Sequence, residues 1–130
     1  MKARLNQLTD SVIDCAVAVH RELGPGLLES CYEECLTFLL LERGMGVERQ
    51  KPLPLTFRGH KIGCAYRIDL LVENEVVVEV KSVDRFERVH TAQVLTYLRL
   101  ADRRVGLLVN FNVKLLMREG FKRLVYNFPD

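Results

Sequence analysis

One hundred and thirty residues make room for one compact domain and hardly for two, so residues 1–130 are read as a single unit. Hydrophobic residues are 48% of the chain and charged residues 28%, an ordinary globular balance that excludes disorder, collagen-like repeats and fibres. The formal net charge of +2 is too small to name a partner, and no run approaches the roughly 18 apolar residues of a membrane helix.

The opening MKARLNQLTD lacks the apolar stretch of a secretion signal, so the expected location is cytoplasmic. Residues 8–23 read as a first helix, with Thr9 or Asp10 as cap and Val12, Ala16, Val19 and Leu23 at helical spacing. Gly24-Pro25-Gly26 stops it, and a second helix follows from about Leu28 to Arg43, closed by Gly44. Prolines 52 and 54 mark 47–57 as an extended edge strand, and Arg58-Gly59-His60 as the turn after it. Two strands, 62–72 and 75–82, are joined by Glu73-Asn74. A third helix spans about 87–101, packing through Val94, Leu95 and Leu98, and 105–110 reads as a fully buried strand. Residues 113–127 are ambiguous between a short helical turn and one or two strands around Glu119-Gly120. The order is α-α-β-β-β-α-β-β, an α/β fold without internal repeats.

Charge is spread unevenly along these elements. Residues 1–42 hold three Lys/Arg against seven Asp/Glu, whereas residues 84–130 hold nine against five. The C-terminal excess, around Arg99, Arg103, Arg104, Lys114, Arg118, Lys122 and Arg123, suits either an anionic polymer or ordinary solvated element ends. Cys15, Cys31, Cys35 and Cys64 form no CxxC pair and match no zinc or iron–sulfur spacing. They read as small buried apolar residues in a reducing compartment.

The hairpin 62–82 carries the chemistry. Alternation puts Ile68, Leu70, Val72, Val76, Val78 and Val80 on one face and Arg67, Asp69, Leu71, Val77, Glu79 and Lys81 on the other. A turn centred on Asn74 sets position 69 opposite 79, so Asp69, Glu79 and Lys81 converge at one sheet end. A slip of one residue would send Asp69 to the far face. Two carboxylates in a partly dry cleft repel, and a divalent cation relieves that; Mg²⁺ takes one or two carboxylates and keeps positions for water and phosphate. A metal-bound water is more acidic than bulk water, and a lysine beside it stabilises charge developing on phosphorus. Such parts suit phosphodiester hydrolysis. An exposed sheet face on which Asp69 and Glu79 pair with Arg67 and Lys81 is the structural alternative. The acidic-x-Lys triplet alone carries little weight, because this composition yields about one by chance. Its placement among valines in a central strand carries more, since burying charges there is costly.

Asp69 followed by Glu79-Val80-Lys81 in a hydrophobic strand resembles the signature of the PD-(D/E)xK nuclease superfamily. Gln93-Val94-Leu95-Thr96-Tyr97 is similar to the QxxxY motif of its RecB-like and lambda-exonuclease-like members. Gly26-Leu27-Leu28-Glu29-Ser30-Cys31-Tyr32 looks like the GxxExxY motif of a family of small prokaryotic proteins placed there, and the likeness covers roughly 8–127. Ile68, where the family name has proline, is the one departure. The resemblance implies a restriction-endonuclease-like central mixed β-sheet flanked by helices. It implies Asp69, Glu79, the Val80 carbonyl and Glu29 as ligands of Mg²⁺ or Mn²⁺. It further implies Lys81 orienting the attacking water or stabilising the transition state, and Gln93 and Tyr97 lining the site against a phosphate or bracing Lys81. Tyr32 is expected to pack rather than react.

The residues also admit plainer roles. Glu29 suits a helix N-terminus, Gln93 an exposed surface and Tyr97 a half-buried core. His20 reads as a helix C-terminal cap in preference to a metal ligand, and His60 and His90 carry no signal. The expected function is a Mg²⁺- or Mn²⁺-dependent nuclease, a hydrolase acting on nucleic acid, DNA foremost, without a membrane partner and with a homodimer as an open assembly. The alternatives are a nuclease-fold nucleic-acid-binding module with weak or no turnover, and a dimeric interaction or scaffold protein.

Overall fold

A computed structural model of the chain describes residues 1–129, apart from the side chains of Cys64 and Ala65. Its elements are α1 (Lys2–Leu23), α2 (Glu29–Glu42), β1 (Val47–Phe57), β2 (His60–Val72), β3 (Val76–Lys81), α3 (Arg88–Ala101), β4 (Val105–Asn110), α4 (Leu116–Glu119) and β5 (Phe121–Val125). Among the described residues no helix is long and apolar enough to cross a membrane.

The five strands lie in chain order, β1-β2-β3-β4-β5. Pairing is antiparallel except between β3 and β4, which run parallel and are joined by α3. A parallel pair needs such a crossover, and its strands are buried on both faces. The valines of 76–80 and all six residues of β4 are accordingly buried. Helices α1 and α2 cover one face, where Val12, Tyr32 and Leu36 meet Leu70, Val78, Val80 and Leu107. Helix α3 covers the other, where Val94, Tyr97 and Leu98 meet Ile68, Leu71, Val77 and Leu108. This is an α/β fold with a mixed sheet flanked by helices, as expected.

Four local expectations are corrected. The first helix begins at Lys2, because Leu5 and Leu8 extend the buried stripe; Thr9 is buried within it and donates to the Asn6 carbonyl (2.9 Å) instead of capping it. Leu95 is 40% exposed, and Tyr97 takes its place on the buried side of α3. Of the cysteines, Cys15 is buried, Cys35 half-buried and Cys31 exposed, while the Cys64 side chain lies outside the described residues. Finally, Ile68 packs under α3 whereas Leu70 packs under α1 and α2, so strict alternation breaks at Asp69. The β1–β2 ladder omits the Gln50–Asp69 pair at the same place, where Gln50 adopts a left-handed φ of 51°. Residues 113–127 resolve into both alternatives, a one-turn helix and a strand.

Candidate metal and catalytic site

The β2–β3 ladder runs from Val72↔Val76 to Leu70↔Val78, which centres the hairpin on Asn74. Beyond Leu70 the strands are held through side chains. Glu79 Oε2 accepts the Asp69 N–H and Asp69 Oδ2 accepts the Val80 N–H, both at 2.8 Å. Each carboxylate thus replaces a carbonyl of the ladder and lodges between the diverging strands. Glu79 is 2% exposed. Burial, then the charge of Asp69, pushes its carboxyl up to about 8. Burial also raises the Asp69 carboxyl, against the pull of the Val80 N–H.

Glu79 and Lys81 project toward α3, since Val78 and Val80 between them face the opposite core. Lys81 Nζ lies 3.5 Å from Gln93 Oε1, and Gln93 Nε2 donates to the Tyr97 hydroxyl at 2.8 Å. Residues 93 and 97 are one turn apart on α3, so the amide bridges them. Tyr97 is buried, edge-on to Tyr66 with ring centroids 5.8 Å apart. Burial, then the charge of Glu79, raises its hydroxyl pKa.

Asp69 also opens toward α2. A hollow of about 260 Å³ is lined by Glu29, Ser30, Glu33, Gln50, Asp69 and Val80. Glu29 stands at the first position of α2, and its Oε2 accepts the Ser82 N–H (3.1 Å), while Ser82 Oγ donates to the Leu27 carbonyl (2.8 Å). Tyr32 stacks on Phe111 at 4.4 Å; its hydroxyl donates to the Gly24 carbonyl and accepts the Leu27 N–H. These bonds pin the start of α2 to the end of β3. Packing, not exposure, is the place of Tyr32.

Two residues of this hollow escaped the sequence reading. Glu33 is buried, its oxygens accepting from Arg49 Nη2 (3.1 Å) and Gln50 Nε2 (2.7 Å). Gln50 Nε2 is also 3.3 Å from Asp69 Oδ1. Glu33 follows Glu29 by four residues, a spacing that signals one helix face. Nothing in the sequence signals the left-handed turn that swings Gln50 inward.

Asp69, Glu79, Val80 and Lys81 therefore meet at one sheet end, with Gln93 and Tyr97 beside Lys81. Glu29 shares the hollow with Asp69 and Val80, while Glu79 does not line it. Asp69 and Glu79 straddle the split between β2 and β3, where a shared face was expected. Among the described residues no three His, Cys, Asp or Glu side chains form a ready cage for a metal. The donors fit Mg²⁺ or Mn²⁺ nevertheless, because such ions rest on one or two carboxylates, and the buried Glu79 and half-buried Asp69 are costly to ionise beside neighbouring carboxylates, a cost that a nearby cation relieves. His20 stands apart. Its Nε2 bonds to the Val113 carbonyl (2.7 Å), and Gly24 N–H caps the carbonyl of His20. His90 Nδ1 accepts the Glu87 N–H in a capping box on α3.

A profile described as the PD-(D/E)XK nuclease superfamily matches residues 6–124 of the chain. The chain belongs to this superfamily. Nuclease-type function and a nucleic-acid substrate follow from that membership, and PD-(D/E)XK nucleases generally use divalent metals. The match does not single out the GxxExxY family, for which the Gly26–Tyr32 likeness is the ground. No curated protein and no solved structure matches the chain.

Proposed function

We propose that this PD-(D/E)XK protein is a Mg²⁺- or Mn²⁺-dependent phosphodiesterase of the GxxExxY kind, a single domain that hydrolyses nucleic acid, DNA foremost. The observation that carries the reading is the exchange of Asp69 and Glu79 across the parted strands, with Lys81 next to it. Asp69, Glu79 and the Val80 carbonyl would hold the ion, with Glu29 reaching it across the hollow. When bound, the ion lowers the pKa of a water and draws charge from the phosphate.

Hydrolysis joins a water oxygen to phosphorus and releases one ester oxygen, which leaves as an alcohol after gaining a proton. Lys81 supplies positive charge where negative charge develops, or orients the water. Gln93 fixes the ammonium through its carbonyl oxygen, and Tyr97 fixes Gln93. Tyr97 is buried and Lys81 and Gln93 are half-buried under α3, which strengthens the electrostatics of this relay. The exposed Cys31 thiol suits a reducing, cytoplasmic compartment. Exposed Leu28, just before α2, and exposed Phe38 and Leu41 on it suit a homodimer, which light scattering on the purified chain would register as twice the monomer mass.

The backbone bonds of the two carboxylates favour one rival, in which they only brace the split strands of a non-cleaving binding module. Cleavage of single- and double-stranded DNA and RNA in Mg²⁺, by the parent chain and by Lys81→Ala, separates the two. Cleavage by the parent, reduced about 10²-fold or more in a folded Lys81→Ala protein, is the expected result. Equal cleavage by both proteins would point to a contaminant and overturn the reading.

A further inference from the structure

The β1–β2 hairpin is longer than the sheet it belongs to. Among the described residues β2 pairs with β3 only over Leu70–Val72, yet pairs with β1 as far as Phe57↔His60. Past Lys51↔Ile68 it is a two-stranded ribbon about 20 Å long at ~3.3 Å per residue. Leu53 and Tyr66 seat its root against α3, and the β1–β2 register shifts between Leu53 and Leu55. Residues 56–61 at its tip are exposed.

Its charge is one-sided. From residue 49 to residue 68 there is no Asp or Glu, and there are five Lys or Arg. Arg49 and Lys51, at the root, pair with Glu33 and Glu48. Among the described residues no ion pair engages Arg58, Lys61 or Arg67. By contrast, Arg103 and Arg104 of the C-terminal excess bond to turn carbonyls, and Lys122 to Thr91. Lysine and proline ordinarily protect an exposed edge, but three exposed cations with no acid within the ribbon and no ion-pair partner among the described residues also leave a field of one sign, which suits an anionic partner. Lys61 and Arg67 lie on β2, which runs directly into Asp69, and Arg58 stands in the turn just before it.

We propose that this ribbon is a basic arm that grips the backbone of double-helical nucleic acid and lays it beside Asp69. A two-stranded ribbon is the β element that the ~12 Å major groove admits, and a duplex offers one phosphate charge per ~1.7 Å along that reach. The inference names the substrate class for the nuclease reading and rests on it for the purpose of the grip, while the grip itself is measured without metal.

The test is binding of a 20-base-pair duplex and of its single strand, in chelator, as salt is varied. Arg58→Gln/Lys61→Gln/Arg67→Gln should weaken duplex binding about tenfold or more and flatten the slope of log K against log salt by roughly 2–3, near one for each phosphate that the arm no longer neutralises. Lys2→Gln/Arg99→Gln/Arg118→Gln removes the same charge elsewhere from exposed positions and should leave the slope within about one of the parent. Arg58→Gln alone, at the exposed tip, covers the case of a misfolded triple variant and should flatten the slope by about one. Equal weakening in the arm and control variants, no weakening in the arm variants, or a single strand bound as tightly as the duplex would each overturn the arm. Arm-dependent duplex binding without Lys81-dependent cleavage would sink the nuclease reading and leave the arm standing. Lys81-dependent cleavage with unaltered binding by the arm variants would do the reverse.

Discussion

Glu79 is a carboxyl whose acidity is set by burial and by Asp69, and this makes stability depend on pH. Its pKa rises from an ordinary 4.5 to about 8 in the folded chain, so between those values the native state holds a proton that the unfolded chain has released. Its contribution is fully present below about pH 4.5 and lost as pH rises through about 8. The raised carboxyl of Asp69 acts in the same direction. In chelator, the urea midpoint should fall from pH 5 to pH 8.5, and Glu79→Gln should flatten that fall. A midpoint with the same slope in both proteins would contradict the electrostatics described. At this scale the sequence spoke clearly where hairpin arithmetic applies: a turn centred on Asn74 puts Asp69 against Glu79, and the structure has that register. Glu33 and Gln50 were hidden for different reasons. The first was one helical turn from a residue already singled out, and the second depends on a backbone angle that composition does not disclose.

Elements obey their periodicity until a site interrupts it. Helix α3 packs on β4 through Gly106, where an added Cβ would sit 2.8 Å from Val94 Cγ1 and 3.3 Å from the Val77 carbonyl oxygen. Gly106→Ala should therefore cost about 1–3 kcal/mol by overpacking, read as a lower urea midpoint with unchanged slope. A neutral substitution would mean that α3 is free to lift from the sheet. The valine runs of β3 and β4 disclosed the buried centre, and two prolines disclosed the edge strand, because both rest on local backbone chemistry. The flip between Ile68 and Leu70 was not disclosed. It arises where Gln50 breaks the β1–β2 ladder and the two carboxylates part β2 from β3, so the departure from alternation and the candidate site are one feature. Tyr97, in place of Leu95, takes the buried side of α3, and its hydroxyl accepts from Gln93.

Across the whole molecule, charge is sorted by sheet end. Val76↔Val105 and Lys81↔Asn110 bound the parallel pair, so Arg103 and Arg104, just before β4, lie at the end away from Lys81, where Arg103 holds the Asn74 carbonyl. The C-terminal basic excess noticed in the sequence is thus spent partly on turns, and the acid-free hairpin stands next to the acidic hollow instead. A cation bound there stabilises the folded chain by mass action and should oppose the loss of stability at high pH. The most direct test of the whole account is titration of the purified chain with Mn²⁺, followed by electron paramagnetic resonance of the free ion, for the parent, Asp69→Asn and Glu79→Gln. Binding by the parent near one or two ions per chain, weakened about tenfold or more in each variant while the fold is kept, is the result expected. Equal uptake by all three proteins, or none by the parent, would contradict it.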